Sequence, residues 1–159
     1  MRLTSPVAGT VRALSSVPDR VFAEGMVGPG VAVEPVRTAV QHVLAPADGV
    51  VAALHPHAFA IRVSDERSVL VHLGVDTVTL AGAGFEAHVA AGQRVHAGER
   101  IVTWSPVDVA AGGLATICPV VALQASPDDV VPLLAPGETV AAGQPLLEWH
   151  ELDTSAADR

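Results

Sequence analysis

The chain contains no lysine and only one cysteine. Without lysine there is no side-chain amine to carry a biotinyl or lipoyl group, so a swinging-arm carrier of that kind is excluded. With Cys118 alone, no internal disulfide can form, which fits a reducing compartment. Flanked by Ile117 and Pro119 in an apolar run, Cys118 reads as a core thiol. Cations are scarce too: nine arginines face 17 acidic side chains, for a formal charge of -8, and no stretch gathers them. Nucleic acid is therefore not the expected partner. The acidity suits a basic protein surface, or merely a soluble acidic chain. Met1 to Thr10 show no charged leader followed by a long apolar core, so no secretory signal is read and a cytoplasmic location is expected. The longest weakly polar run, Val109 to Leu123, is interrupted by Gly112, Gly113, Thr116 and Pro119. It falls short of the about 20 residues that span a bilayer.

What is present points to β structure. Half of the 159 residues are hydrophobic, enough for one core-bearing domain, expected over residues 1–152. The small, polar tail from Asp153 to Arg159 is expected to be loose. Abundant valine, 14 glycines and 12 prolines, with almost no sustained 3.6-residue period, predict many short strands joined by tight turns. The apolar runs Val31 to Val33, Val50 to Leu54, Phe59 to Val63, Val69 to Leu73 and Ile101 to Trp104 each end at turn-forming residues. An all-β sandwich or barrel follows. Helix is confined to brief turns, one predicted at Ser126-Pro127-Asp128-Asp129 from a cap, a first-turn proline and acidic groups.

Two internal echoes refine the architecture. Ser5-Pro6-Val7-Ala8-Gly9-Thr10-Val11-Arg12-Ala13-Leu14 matches Ala45-Pro46-Ala47-Asp48-Gly49-Val50-Val51-Ala52-Ala53-Leu54 in its Pro, Gly, Val, Ala and Leu positions. Then Ala90, Gly92, Val95, Ala97, Gly98 and Trp104 recur as Ala135, Gly137, Val140, Ala142, Gly143 and Trp149, a constant offset of 45 residues. Each of these units reads Gly-x-x-Val-x-x-Gly, with glycine where the backbone must turn and valine anchoring the strand between. The order of the echoes, one, one, two, two, predicts interleaved halves rather than tandem domains.

Chemistry concentrates in His57-Ala58-Phe59-Ala60-Ile61-Arg62-Val63 and Ser68-Val69-Leu70-Val71-His72-Leu73-Gly74-Val75-Asp76-Thr77-Val78. With Ser64 to Arg67 taken as a four-residue loop, the two runs form a hairpin in which residue 59 faces residue 72. His57, Phe59 and His72 then share one surface, the imidazoles being diagonal neighbours about 7 Å apart along the backbone. A slip of one residue would put them on opposite faces. Imidazole suits phosphoryl transfer, because one ring nitrogen attacks phosphorus while the other, holding its proton, donates to a carbonyl acceptor. By themselves these are also ordinary strand histidines.

Across roughly residues 3 to 150 the chain resembles the glucose-family IIA domains of the bacterial phosphoenolpyruvate-dependent sugar phosphotransferase system. The resemblance rests on Val17-Pro18-Asp19-Arg20-Val21-Phe22-Ala23-Glu24, Val27-Gly28-Pro29-Gly30-Val31-Ala32, Ala45-Pro46-Ala47-Asp48-Gly49, His57-Ala58, Val71 to Val78, Leu80-Ala81-Gly82-Ala83-Gly84-Phe85 and the paired glycine turns. It implies that His72 accepts a phosphoryl group from the donor protein HPr and passes it to the cysteine of a IIB domain. It implies that His57 supports the phosphoryl group and that the Gly74 carbonyl orients the His72 ring. Asp19 and Asp76 would meet an arginine of HPr, with Val21, Phe22 and Val27 as an apolar docking rim. Core packing accounts equally for those hydrophobics, and turn formation for Asp19. No cofactor is implied, and a zinc ion at His57 and His72 would be an accessory. The chain departs from the family pattern at His55, which stands where the family has a threonine. The transported sugar is not legible, because nothing here would touch it.

Two other functions compete. A regulatory protein-binding module would use the same fold and surface. A zinc hydrolase would draw ligands from His55, His57 and His72, but it would also want an open metal position and a general base.

Overall fold

A computed structural model describes residues 1–150; the tail expected to be loose lies outside the described residues. In chain order the strands are β1 (Arg2–Thr4), β2 (Gly9–Ala13), β3 (Gly30–Pro35), β4 (Gln41–Leu44), β5 (Gly49–His55), β6 (Ala58–Ser64) and β7 (Arg67–His72). They continue with β8 (Phe85–Ala87), β9 (Arg94–Val95), β10 (Arg100–Trp104), β11 (Cys118–Ala122), β12 (Val130–Pro132), β13 (Thr139–Val140) and β14 (Pro145–Trp149). Among the described residues, helix is limited to α1 (Arg20–Ala23), α2 (Pro106–Ala111) and three 3-10 turns. The chain is all-β, as its composition predicts.

Eight strands form one sheet in the order β13-β2-β3-β11-β7-β6-β5-β9, and two three-stranded sheets, β1-β14-β12 and β4-β10-β8, complete the sandwich. Alternation assigns the two faces of the large sheet. Val33 and Val31 of β3, Val120 of β11, and Val69 and Val71 of β7 join Trp104, Leu147 and Trp149 in the main core. The intervening Ala32 and Val121, with Leu70 packed against them, join a second, smaller core with Val17, Phe22, Val75 and Ile117. Central strands buried on both faces explain why β11 is an unbroken buried run. The histidine pair sits beside the smaller core.

The echoes are interleaved in space. β2 pairs with β13 through Gly9↔Val140, and β5 pairs with β9 through Gly49↔Val95. β1 pairs with β14 through Leu3↔Leu147, and β4 pairs with β10 through Val43↔Val102. Each half borrows a strand from the other, so neither half is complete alone. Gly9 and Gly49 play one role: a Cβ would stand 2.0 Å from the Glu34 carbonyl oxygen or 2.3 Å from that of Arg62.

Two expectations need correction. The β6–β7 hairpin turns at Asp65-Glu66 rather than over four residues, and an irregularity between Arg62 and Ser64 absorbs the difference. The register is therefore Ala58↔His72 and Phe59↔Val71. Phe59 does not share the face of His72 but is buried in the main core. At Ser126 the 3-10 turn Pro127–Asp129 forms without a side-chain cap. A capped helix that was not predicted stands at Ser105-Pro106, where the Ser105 hydroxyl accepts from the Asp108 N–H.

Candidate functional site

His72 ends β7, and the chain turns sharply after it. The turn is tied down at every residue. The Leu73 N–H donates to the His57 carbonyl at 2.7 Å, and the Val75 N–H donates to the Ala115 carbonyl at 3.0 Å. The buried Thr77 hydroxyl donates to the Leu73 carbonyl at 2.6 Å. Gly74 has φ +75°, and a Cβ there would lie 2.6 Å from the Ala115 oxygen and 2.8 Å from Thr77 Cγ2. Only glycine fits both the dihedral and the space.

The product of this turn is a hydrogen bond of 2.6 Å between His72 Nδ1 and the Gly74 carbonyl. A carbonyl can only accept, so Nδ1 carries the proton and Nε2 presents a lone pair. The imidazole of His57 meets that of His72 edge-on, with centroids 5.2 Å apart. The Phe22 ring also meets His72 edge-on, at 5.3 Å between centroids. His55 is exposed, its ring 5.8 Å from that of His57.

The rings meet in spite of the altered register. His57 lies in the Pro56-His57 turn between β5 and β6, and a turn residue is not bound by the alternation of a strand. Turn geometry thus brings together what strand alternation alone would have separated.

Burial lowers the pKa of His57 below its ordinary value, and the neighbouring imidazoles of His72 and His55 lower it further. His72 is lowered as well, by burial, against the opposing pull of its Gly74 hydrogen bond and the carboxylates of Asp19 and Asp76. Both rings are therefore held toward the neutral form, in which Nε2 of His72 is a nucleophile. Burial pushes the Cys118 thiol up to about 12. It is an inert core thiol, as its flanks suggest.

Of the expected rim, Val21 is 43% exposed and Val27 is half-buried. Phe22, at 7% exposed, packs in the smaller core with its ring against His72. Asp19 accepts from the Val21 N–H at 2.9 Å, capping α1. Asp76 is exposed in a left-handed conformation, φ 61°. The sequence reading missed Met26 and Val78, 69% and 61% exposed. Met26 is joined to the rim by its N–H bond to the Val21 carbonyl, and Val78 follows Asp76 by two residues. Only exposure distinguishes them from core aliphatics, and their local sequence carries no sign of it. A cavity of about 410 Å³ lined by Met26, Val27, Asp65, Glu66, Ser68, Leu123 and Gln124 adjoins the rim and includes neither histidine. Among the described residues no three His, Cys, Asp or Glu side chains converge as metal ligands.

Residues 1–127 match the family described as phosphoenolpyruvate-dependent sugar phosphotransferase system, EIIA 1. The chain is 41% identical over 128 residues to the glucose-specific EIIBCA component of Corynebacterium glutamicum, covering 79% of this chain and 18% of that one. It is 36% identical over 121 residues to the glucose-specific EIIA component of Bacillus cereus, covering 75% and 72%. The solved glucose permease IIA of Mycoplasma capricolum superposes with a TM-score of 0.81 at 30% identity, covering 92% of this chain and 94% of the other. The chain belongs to the EIIA 1 family of the sugar phosphotransferase system. It spans about a fifth of the length of the EIIBCA and EIICBA relatives that it matches.

Proposed function

We propose that this chain is a phosphohistidine carrier in which Nε2 of His72 takes a phosphoryl group from HPr and passes it to the cysteine of a IIB domain. The single observation that carries the reading is the bond from Nδ1–H of His72 to the Gly74 carbonyl. It fixes the tautomer, aims the ring and leaves one nitrogen free to attack.

In the transfer, a P–N bond forms to Nε2 as the P–N bond to the donor histidine breaks in line. The proton stays on Nδ1, hydrogen-bonded to the Gly74 carbonyl, throughout. Positive charge developing on the ring is eased by that carbonyl and by Asp19 and Asp76. The neutral His57 ring, 5.2 Å from His72, offers an N–H to the phosphoryl oxygens. The dianionic group then raises the proton affinity of His57, countering the burial that lowers it in the resting state. In the second step the sulfur of IIB attacks phosphorus and Nε2 leaves with its lone pair restored. Asp19 and Asp76 are assigned to an arginine of HPr, and Val21 and Val27 to the apolar contact around it, with Met26 and Val78 added from their exposure. No cofactor enters this scheme, and it operates in the cytoplasm. Relatives named for glucose and for N-acetylglucosamine are both matched, so the sugar is not assigned.

The test is phosphorylation from phosphoenolpyruvate through enzyme I and HPr, read by intact mass. Wild type should gain one acid-labile phosphoryl group, His72→Gln none, and His57→Gln a group that it donates poorly. A label that survives in His72→Gln would sink the assignment.

A further inference from the structure

The direction of the Gly74 carbonyl is set by a segment that the transfer scheme does not use. A peptide unit is planar, so the Gly74 carbonyl and the Val75 N–H point in opposite directions from one rigid plate. On one side the carbonyl accepts from His72 Nδ1 at 2.6 Å. On the other the Val75 N–H donates to the Ala115 carbonyl at 3.0 Å. The plate is gripped at both ends, and the rear grip adjoins Thr116.

Thr116 is 2% exposed, and its hydroxyl donates to Glu34 Oε1 at 2.5 Å. The Cys118 thiol donates to the Thr116 carbonyl at 3.2 Å. Glu34 belongs to β3, a strand that does not pair with β7, so the rear grip is referred to a separate part of the large sheet. A hydroxyl bonded to a carboxylate is held more firmly than one bonded to a neutral acceptor. A peptide whose N–H is engaged is also a better acceptor at its carbonyl. A better acceptor at Nδ1 makes Nε2 of the same ring more basic.

We infer that Thr116, anchored by Glu34, is a positioning residue for His72, holding the Gly74–Val75 peptide plane through the Ala115 carbonyl. Its consequence for transfer rests on His72 being the acceptor; the orientation of the ring does not. Nitrogen-15 NMR of the unphosphorylated protein reads the His72 tautomer ratio and pKa directly. It would be recorded for wild type, Thr116→Val, Thr116→Ser and Glu34→Ala, alongside the rate of phosphorylation by HPr. In Thr116→Val and Glu34→Ala the share of Nδ1–H tautomer should fall and phosphorylation should slow by about tenfold, the scale of a lost supporting hydrogen bond. Thr116→Ser, which keeps the hydroxyl, should restore both.

Folded Thr116→Val with the wild-type tautomer ratio overturns the inference, whether or not its rate or melting temperature has changed. Should Thr116→Val not fold, Glu34→Ala removes the same bond from a half-exposed position and is judged in the same way. Because the spectra need no phosphoryl donor, label on His72→Gln would sink the acceptor assignment without touching this result.

Discussion

At the scale of single residues, the site is governed by burial around a few polar atoms. Gly74→Ala would force a Cβ to within 2.6 Å of the Ala115 oxygen in a left-handed conformation. It should cost about 1 to 3 kcal/mol of stability, measured by urea unfolding, and should nearly abolish phosphorylation. The two histidines give the pH dependence. Their folded-state pKa values lie below the ordinary value of 6.5, so the unfolded chain binds their protons first. Above 6.5 both states are neutral and their contribution to stability is intact. It is lost as pH falls from 6.5 through the lower folded values. Urea midpoints at pH 7.5 and 5.5 should therefore separate more in wild type than in the His57→Gln, His72→Gln double variant. Equal separation would refute the shifts.

At the scale of elements, Asp19 serves two ends that can be pulled apart. Its side chain caps α1, and its charge faces His72. Asp19→Ala should cost about 1 kcal/mol in stability and should slow transfer from HPr. Asp19→Asn keeps a capping oxygen, so it should retain the stability and still lose the rate, most visibly at low salt. Loss of stability in both variants, with the rate unchanged, would reduce Asp19 to a cap. The β6–β7 hairpin shows how an element is misread. Strand pattern marks both runs, but Ser64 to Arg67 do not announce that an irregularity beside Val63 leaves a two-residue turn. An error of one residue moved Phe59 from the surface to the core. The meeting of His57 and His72 survived because a turn residue, rather than a strand residue, carries one of the rings.

At the scale of the whole molecule, the duplication predicts paired behaviour. Gly9→Ala and Gly49→Ala should destabilise to similar extents, on the order of 1 to 3 kcal/mol or more, since each Cβ meets a neighbouring strand's carbonyl oxygen at 2.0 or 2.3 Å. Thermal unfolding checks this, and a large inequality would show that the two halves do not bear the same load.

The sequence by itself determined the strand content and the interleaved repeat, because those rest on local period and recurrent glycine spacing, whereas the choice of His57, His72 and Gly74 came from the resemblance to the IIA family. Only the tertiary structure decided the hairpin register, the burial of Phe22 beneath the rim, the exposure of Met26 and Val78, and the reach of Ala115 and Thr116 to the back of Gly74. Apart from the hairpin register, these depend on contacts between segments far apart in the chain, such as Glu34 with Thr116. Exposure and orientation at such places are set by what packs alongside, and a local pattern cannot carry that information.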